Sequence, residues 1–131
     1  MKILKIIFLV LFVAFAVHQT NAQSFPTGIV TATQQGNAVL LAQHFNDKVE
    51  IILPSKQGVY SKEQAQFVMR DFFASNRPTS FKINHEGKRD NSSFAIGNYV
   101  SSREQFRFYF LTRNVGGRVL ISQIRIDKQD D

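Results

Sequence analysis

At Pro78 the hydrophobic period of this chain changes, and that change limits its architecture more than any motif does. Upstream, Ala65, Val68, Met69, Phe72 and Phe73 recur at the three-and-four spacing of an amphipathic helix. Downstream, Phe81, Ile83 and His85 alternate with Lys82, Asn84 and Glu86, the period of a half-buried strand. Three more strand-like runs follow, "FAIGNYV", "FRFYFLTR" and "VLISQIRID", separated by the turn-rich "GKRDNSS", "SSREQ" and "NVGG". Four strands on short loops make an antiparallel meander. "FAIGNYV" is apolar on both faces, which predicts an interior strand with material on either side.

The first half supplies helices. Phe25, Ile29 and Ala32 share a helical face, with Pro26 in the first turn. Gly36 suits a left-handed helix cap, and Asn37 can N-cap a second helix that puts Ala38, Leu41, Ala42 and Phe45 on one side. "VEIIL" (Val49 to Leu53) is a strand stopped by Pro54, and "GVY" leads into Ser61 and Gln64, spaced as a capping box. The helix behind that box ends at Asn76 and Pro78. Helices, a strand pair, a capped helix and four strands predict an α+β domain with helices on one side of an antiparallel sheet.

The N-terminus reads as an export signal. Lys2 and Lys5 precede the apolar "IIFLVLFVAFAV", and Thr20 and Ala22 sit at the small-residue positions before a cleavage point at Gln23. Ile3 to Val17 is 15 residues and is interrupted by Lys5, short of the roughly 20 a membrane span requires. The expected layout is a signal peptide over 1–22, one domain over 23–128 and a frayed tail over 129–131, with a periplasmic or secreted product and no integral membrane segment after cleavage. Cysteine is absent, so the core alone must hold the domain together. After cleavage the net charge is +4, spread evenly along the chain. That modest excess suits solubility and a weak anion preference better than a polyanion-binding surface.

The chemistry-bearing residues are few. His44 and His85 are the two histidines beyond the signal, and neither belongs to a metal-spaced cluster, so no metal or cofactor is expected. There is no G-x-S-x-G elbow and no phosphate-binding glycine loop. His85 follows Phe81 and Ile83 at strand period, so it is expected on the core side. It reads either as a strand-end histidine bonded to a neighbour or as an acid, base or ligand contact in a pocket. Tyr60, Tyr99, Tyr109, Asn98 and Gln123 are its candidate co-liners, although no spacing forces them together. Aromatics interleaved with arginine in "FRFYFL" raise the idea of base stacking, but the small positions of an RNA-recognition strand are missing, so no nucleic acid is expected. If Gly116 and Gly117 form a two-residue turn, Phe110 lies across from Gln123 and Phe108 across from Arg125, which allows a structural cation–π contact. Other registers stay open.

Several stretches together carry a family resemblance: the signal, "GNAVLLAQHFNDKVEI", "GVYSKEQAQFVMRDFF", "SFKINHEG", "FAIGNYV", "FRFYFL" and "LISQIRID". Over about Phe25 to Lys128 the chain resembles the exported Bacteroidota family called domain of unknown function 4783, similar in fold to nuclear-transport-factor-2-like, or cystatin-like, proteins. The resemblance implies a cone-shaped domain, a curved antiparallel sheet wrapped around helices. It implies no established activity and no catalytic residues. Enzymes of the wider fold place a carboxylate base and a tyrosine or acid in the cone, whereas the inward polar candidates here are Asn98 and His85.

Two readings follow, with a third behind them. The first is a non-catalytic exported interaction module, partnered by a second copy through the outer sheet face. The second is a binder of a small apolar ligand, or an isomerase-like enzyme, using a pocket near His85, Asn98 and Tyr109. The third is an anionic surface held by Arg103, Arg107, Arg113, Arg118 and Arg125.

Overall fold

A computed structural model describes residues 25–130. Residues 1–22, read above as a signal peptide, lie outside the described residues. Helix α1 (Thr27–Gln35) ends at Gly36 in a left-handed cap, φ 60°, whose flanking amides reach the Ala32 and Thr33 carbonyls. Asn37 then caps the short α2 (Ala38–Ala42), its side chain accepting from the Leu40 amide at 3.0 Å. Strand β1 (Phe45–Ile52) turns into β2 (Gln57–Ser61), and α3 (Lys62–Ser75) starts at a complete capping box between Ser61 and Gln64. The meander follows as β3 (Pro78–Arg89), β4 (Ser92–Ser101), β5 (Gln105–Val115) and β6 (Arg118–Lys128). Among these elements no helix is long and apolar enough to cross a membrane.

The six strands form one sheet in the order β2-β1-β6-β5-β4-β3. All neighbours are antiparallel except β1 and β6, which run parallel. That seam arises because α3 carries the chain to the far edge and the meander walks back strand by strand to β1. It also explains why β1 begins at Phe45, four residues before the apolar run suggested: the Ile121 amide donates to the His44 carbonyl at 2.6 Å, and Phe45 pairs with Ile121. Ala38, Leu41, Ala42 and Phe45 remain buried together although a helix–strand boundary divides them.

Two of the sheet's register shifts set which side chains reach the outer face. In β3 the register passes from Ile83 opposite Gly97 to His85 opposite Ile96, leaving Asn84 as the extra residue. In β6 it passes from Gln123 opposite Leu111 to Ile121 opposite Thr112, leaving Ser122 extra. A bulge bends its strand and inverts side-chain alternation beyond it. The Gly116–Gly117 turn does have two central residues, with φ values of 57° and 83°. Because of the Ser122 bulge, however, Phe110 faces Ile124 and Phe108 faces Ile126. The expected Arg125–Phe108 contact is therefore corrected: Arg125 lies opposite Tyr109 and its Nε pairs with Asp127 Oδ2 at 3.1 Å.

The helices pack on the inner face, where Phe106, Phe108 and Phe110 of β5 alternate with outward Arg107, Tyr109 and Leu111. Phe72 of α3 meets Phe106 edge-on at 5.1 Å and Phe108 at 5.7 Å. Tyr99 stacks on Phe108 at 4.7 Å, and Phe25 on Phe110 at 6.0 Å. Gly97 makes this packing feasible. A β-carbon there would lie 2.6 Å from two ring atoms of Phe81 and 2.9 Å from the Lys82 carbonyl oxygen. Since the sheet backbone cannot move aside, Gly97→Ala is expected to lower stability by about 1–3 kcal/mol through overpacking. Urea unfolding reads this directly, and an unchanged midpoint would contradict the packing.

Candidate functional site

The inner face is occupied by its own side chains, so the open surface is the outer face of the sheet. Successive cross-strand pairs set its rows. One row runs Gly87, Phe94, Leu111, Gln123, Glu50 and Val59, and the next runs His85, Ile96, Tyr109, Arg125, Ile52 and Gln57. The two rows form a belt whose centre is apolar. Phe94 lies across Gly87, where a β-carbon would come within 2.5 Å of its ring. The same ring stacks on Tyr109 at 6.3 Å with 20° between planes and meets His85 at 5.8 Å. Glycine beneath and rings on both sides hold Phe94 in place without a helix above it.

Polar rows flank the belt at both ends. On one side Lys82, Asn98, Arg107 and Asp127 line up across β3 to β6, and on the other Arg89, Ser92, Arg113 and Leu120. Within the belt Gln123 Nε2 donates to Glu50 Oε1, so that carboxylate is engaged inside its own sheet.

The six residues singled out in the sequence do not converge. His85, Asn98, Tyr109 and Gln123 share the outer face, whereas Tyr99 and Tyr60 lie on the inner side. Two expectations are corrected here. The Asn84 bulge turns His85 out of the core and into solvent, and Asn98 alternates outward between buried Gly97 and Tyr99. His85 is thus exposed on the outer sheet face, Asn98 and Tyr109 are half-buried there, and none of the three lines a cone interior. Tyr60 packs at the core's margin, with the Lys56 ammonium 5.8 Å from its ring centre. Glu86 turns inward and accepts from the Phe25 amide at 3.2 Å, tying the chain before α1 to β3.

Tyr99 also has a polar role on the inner face. Its hydroxyl donates to the Asn76 carbonyl at the C-cap of α3, joining the helix end to β4. Burial pushes its phenol well above the ordinary tyrosine range, against a smaller downward pull from Arg77. His44, against Gly28 of α1, is shifted the other way: burial, then the Arg118 charge, lowers its pKa. Phe94, Ile96 and Leu111 were not among the candidate residues, although the two-sided hydrophobicity of "FAIGNYV" was the signal for Phe94 and Ile96.

The comparisons with known proteins decide the family. The family model described as Domain of unknown function (DUF4783) matches residues 26–127. The chain belongs to this family. A crystal structure of a DUF4783 family protein from Bacteroides ovatus is 35% identical, with a TM-score of 0.80 over 84% of this chain and 100% of that one. A second, from Bacteroides uniformis, is 37% identical with a TM-score of 0.79 over 82% and 100%. An NTF2-like protein of unknown function from Shewanella baltica has a TM-score of 0.62 at 10% identity, over 80% and 88%, which shows the shared fold. Among curated proteins no relative matches. The DUF4783 assignment and the NTF2-like α+β fold agree with the sequence reading, and the family name carries no activity.

The Tyr99 phenol makes a pH prediction. A folded-state pKa raised above the unfolded value of about 10 means the native state retains a proton that the unfolded chain releases. That stability is fully present below pH 10 and is lost as pH climbs through the folded pKa. Tyr99→Phe is expected to cost about 1 kcal/mol at neutral pH, from the lost hydrogen bond, and to flatten the fall in stability above pH 10. Denaturation at pH 7 and across the alkaline range checks both, and an unaltered alkaline limb would exclude the tyrosine as its source.

Proposed function

We propose that this DUF4783 domain is an exported, non-catalytic interaction module whose working surface is the outer face of its sheet. The carrying observation is the asymmetry of the two faces. Phe72, Phe108, Phe110 and Tyr99 are buried on the inner side, while Phe94, Ile96, Tyr109 and Leu111 form a half-buried apolar belt on the outer side. A contiguous apolar area rimmed by polar residues is the usual mark of an interaction surface. The N-terminal pattern of basic residues, apolar run and small-residue cleavage site supports export.

A second copy of the chain and a different protein are the two occupants that suit such a belt. The isomerase-like alternative draws less support, because His85 and Tyr109 face open surface and the carboxylate beside His85 in sequence, Glu86, is on the opposite face. Screening the purified domain against ester, phosphate, glycoside and ketosteroid substrates is expected to show no turnover above buffer. Ile96→Asp is expected to keep the native circular dichroism spectrum while reducing binding of an apolar dye to the folded protein. Turnover that disappears in His85→Ala or Tyr109→Phe would overturn this reading in favour of the enzyme.

A further inference from the structure

The charges on the outer face are segregated. Lys82 and Arg107 stand on either side of Asn98 in one row, and Arg89 and Arg113 on either side of Ser92 in another. Six residues of strand separate the rows along β4 and along β5, a distance of about 20 Å at 3.3 Å per residue. Between them lies the uncharged centre of the belt: Phe94, Ile96, Tyr109 and Leu111. Within the described residues none of the four cations is ion-paired. The carboxylates of this face are engaged by neighbours, Asp127 by Arg125 and Glu50 by Gln123. Asp90, in the turn after Arg89, shares an open cavity of about 430 Å³ with Arg89 and Arg113 and is the acid closest in sequence to that row.

We infer that this face docks an acidic protein: one presenting two carboxylate clusters about 20 Å apart around an apolar centre. The inference rests on the outer face being the working surface, and it adds the partner's chemistry. Charge complementarity selects the occupant. A second copy related by a two-fold axis would bring the cationic rows of one chain against those of the other, and like charges at an interface oppose association. An acidic partner meets both rows with opposite charge while its apolar centre covers the belt. The area also suits a protein. Strands β3 to β6 alone offer roughly 600 Å² at ordinary strand spacing, near the roughly 800 Å² that each partner contributes to a standard interface.

The probe is a synthetic extended peptide with Glu/Asp clusters at both ends of a short Leu/Tyr/Phe centre, read by fluorescence anisotropy beside a lysine-for-acid control. Binding of the acidic peptide is expected to weaken about tenfold between roughly 50 and 500 mM salt. Arg107→Glu and Arg113→Glu should each weaken it about tenfold, with Arg107→Lys retaining most of it. Equal binding of the control peptide, or no binding at all, overturns the inference. So does binding of phosphatidylglycerol vesicles in place of the peptide, which would make the anion a membrane. Sedimentation of the domain alone separates the remaining case. Self-association that strengthens with salt and is lost in Ile96→Asp would keep the outer face as the working surface while replacing the acidic partner with a second copy.

Discussion

The packing of Phe72 against Phe106, Phe108 and Tyr99 is the interaction on which the rest of this structure depends. It seats α3 on the inner side of the sheet, where Gly97 leaves room for the Phe81 ring that packs on the same Tyr99 and Phe108. Tyr99 serves the same junction twice, as a ring stacked on Phe108 and as a donor to the C-cap of α3. Buried aromatics combine large apolar area with preferred edge and offset geometries, so such a cluster fixes one arrangement of helix on sheet. Filling the inner side in this way leaves the outer side as the face of the sheet that no helix covers.

What the convex side displays is set by strand register. A one-residue insertion exchanges the two faces of everything beyond it. At Asn84 that exchange moves His85 outward beside Phe94 and brings Glu86 inward to the Phe25 amide. At Ser122 it puts Arg125 beside Tyr109 and Ile124 beside Phe110. The belt and its two cationic rows are therefore products of bulges as much as of composition.

The DUF4783 relatives from Bacteroides share this fold at about one-third identity, and the NTF2-like protein from Shewanella shares it at 10%. A fold preserved across so much sequence change is a scaffold, and its use is decided by the faces that each chain builds on it. In this chain the inner face is built of rings and the outer face of a belt between cations.

Local signals in the sequence determined most of the elements. The capping box at Ser61, the left-handed cap at Gly36, the turn at Gly116–Gly117 and the period change at Pro78 each act over a few residues, and each appears in the structure. The alternation of "FRFYFL" likewise assigned Phe106, Phe108 and Phe110 to a common face. Only the tertiary structure decided the parallel β1–β6 seam, the early start of β1 and the outward turn of His85 and Asn98. Their physical cause is the same. Pairing partners and bulges are chosen by contacts between residues far apart in the chain, and an inserted Asn or Ser looks locally like any other strand residue.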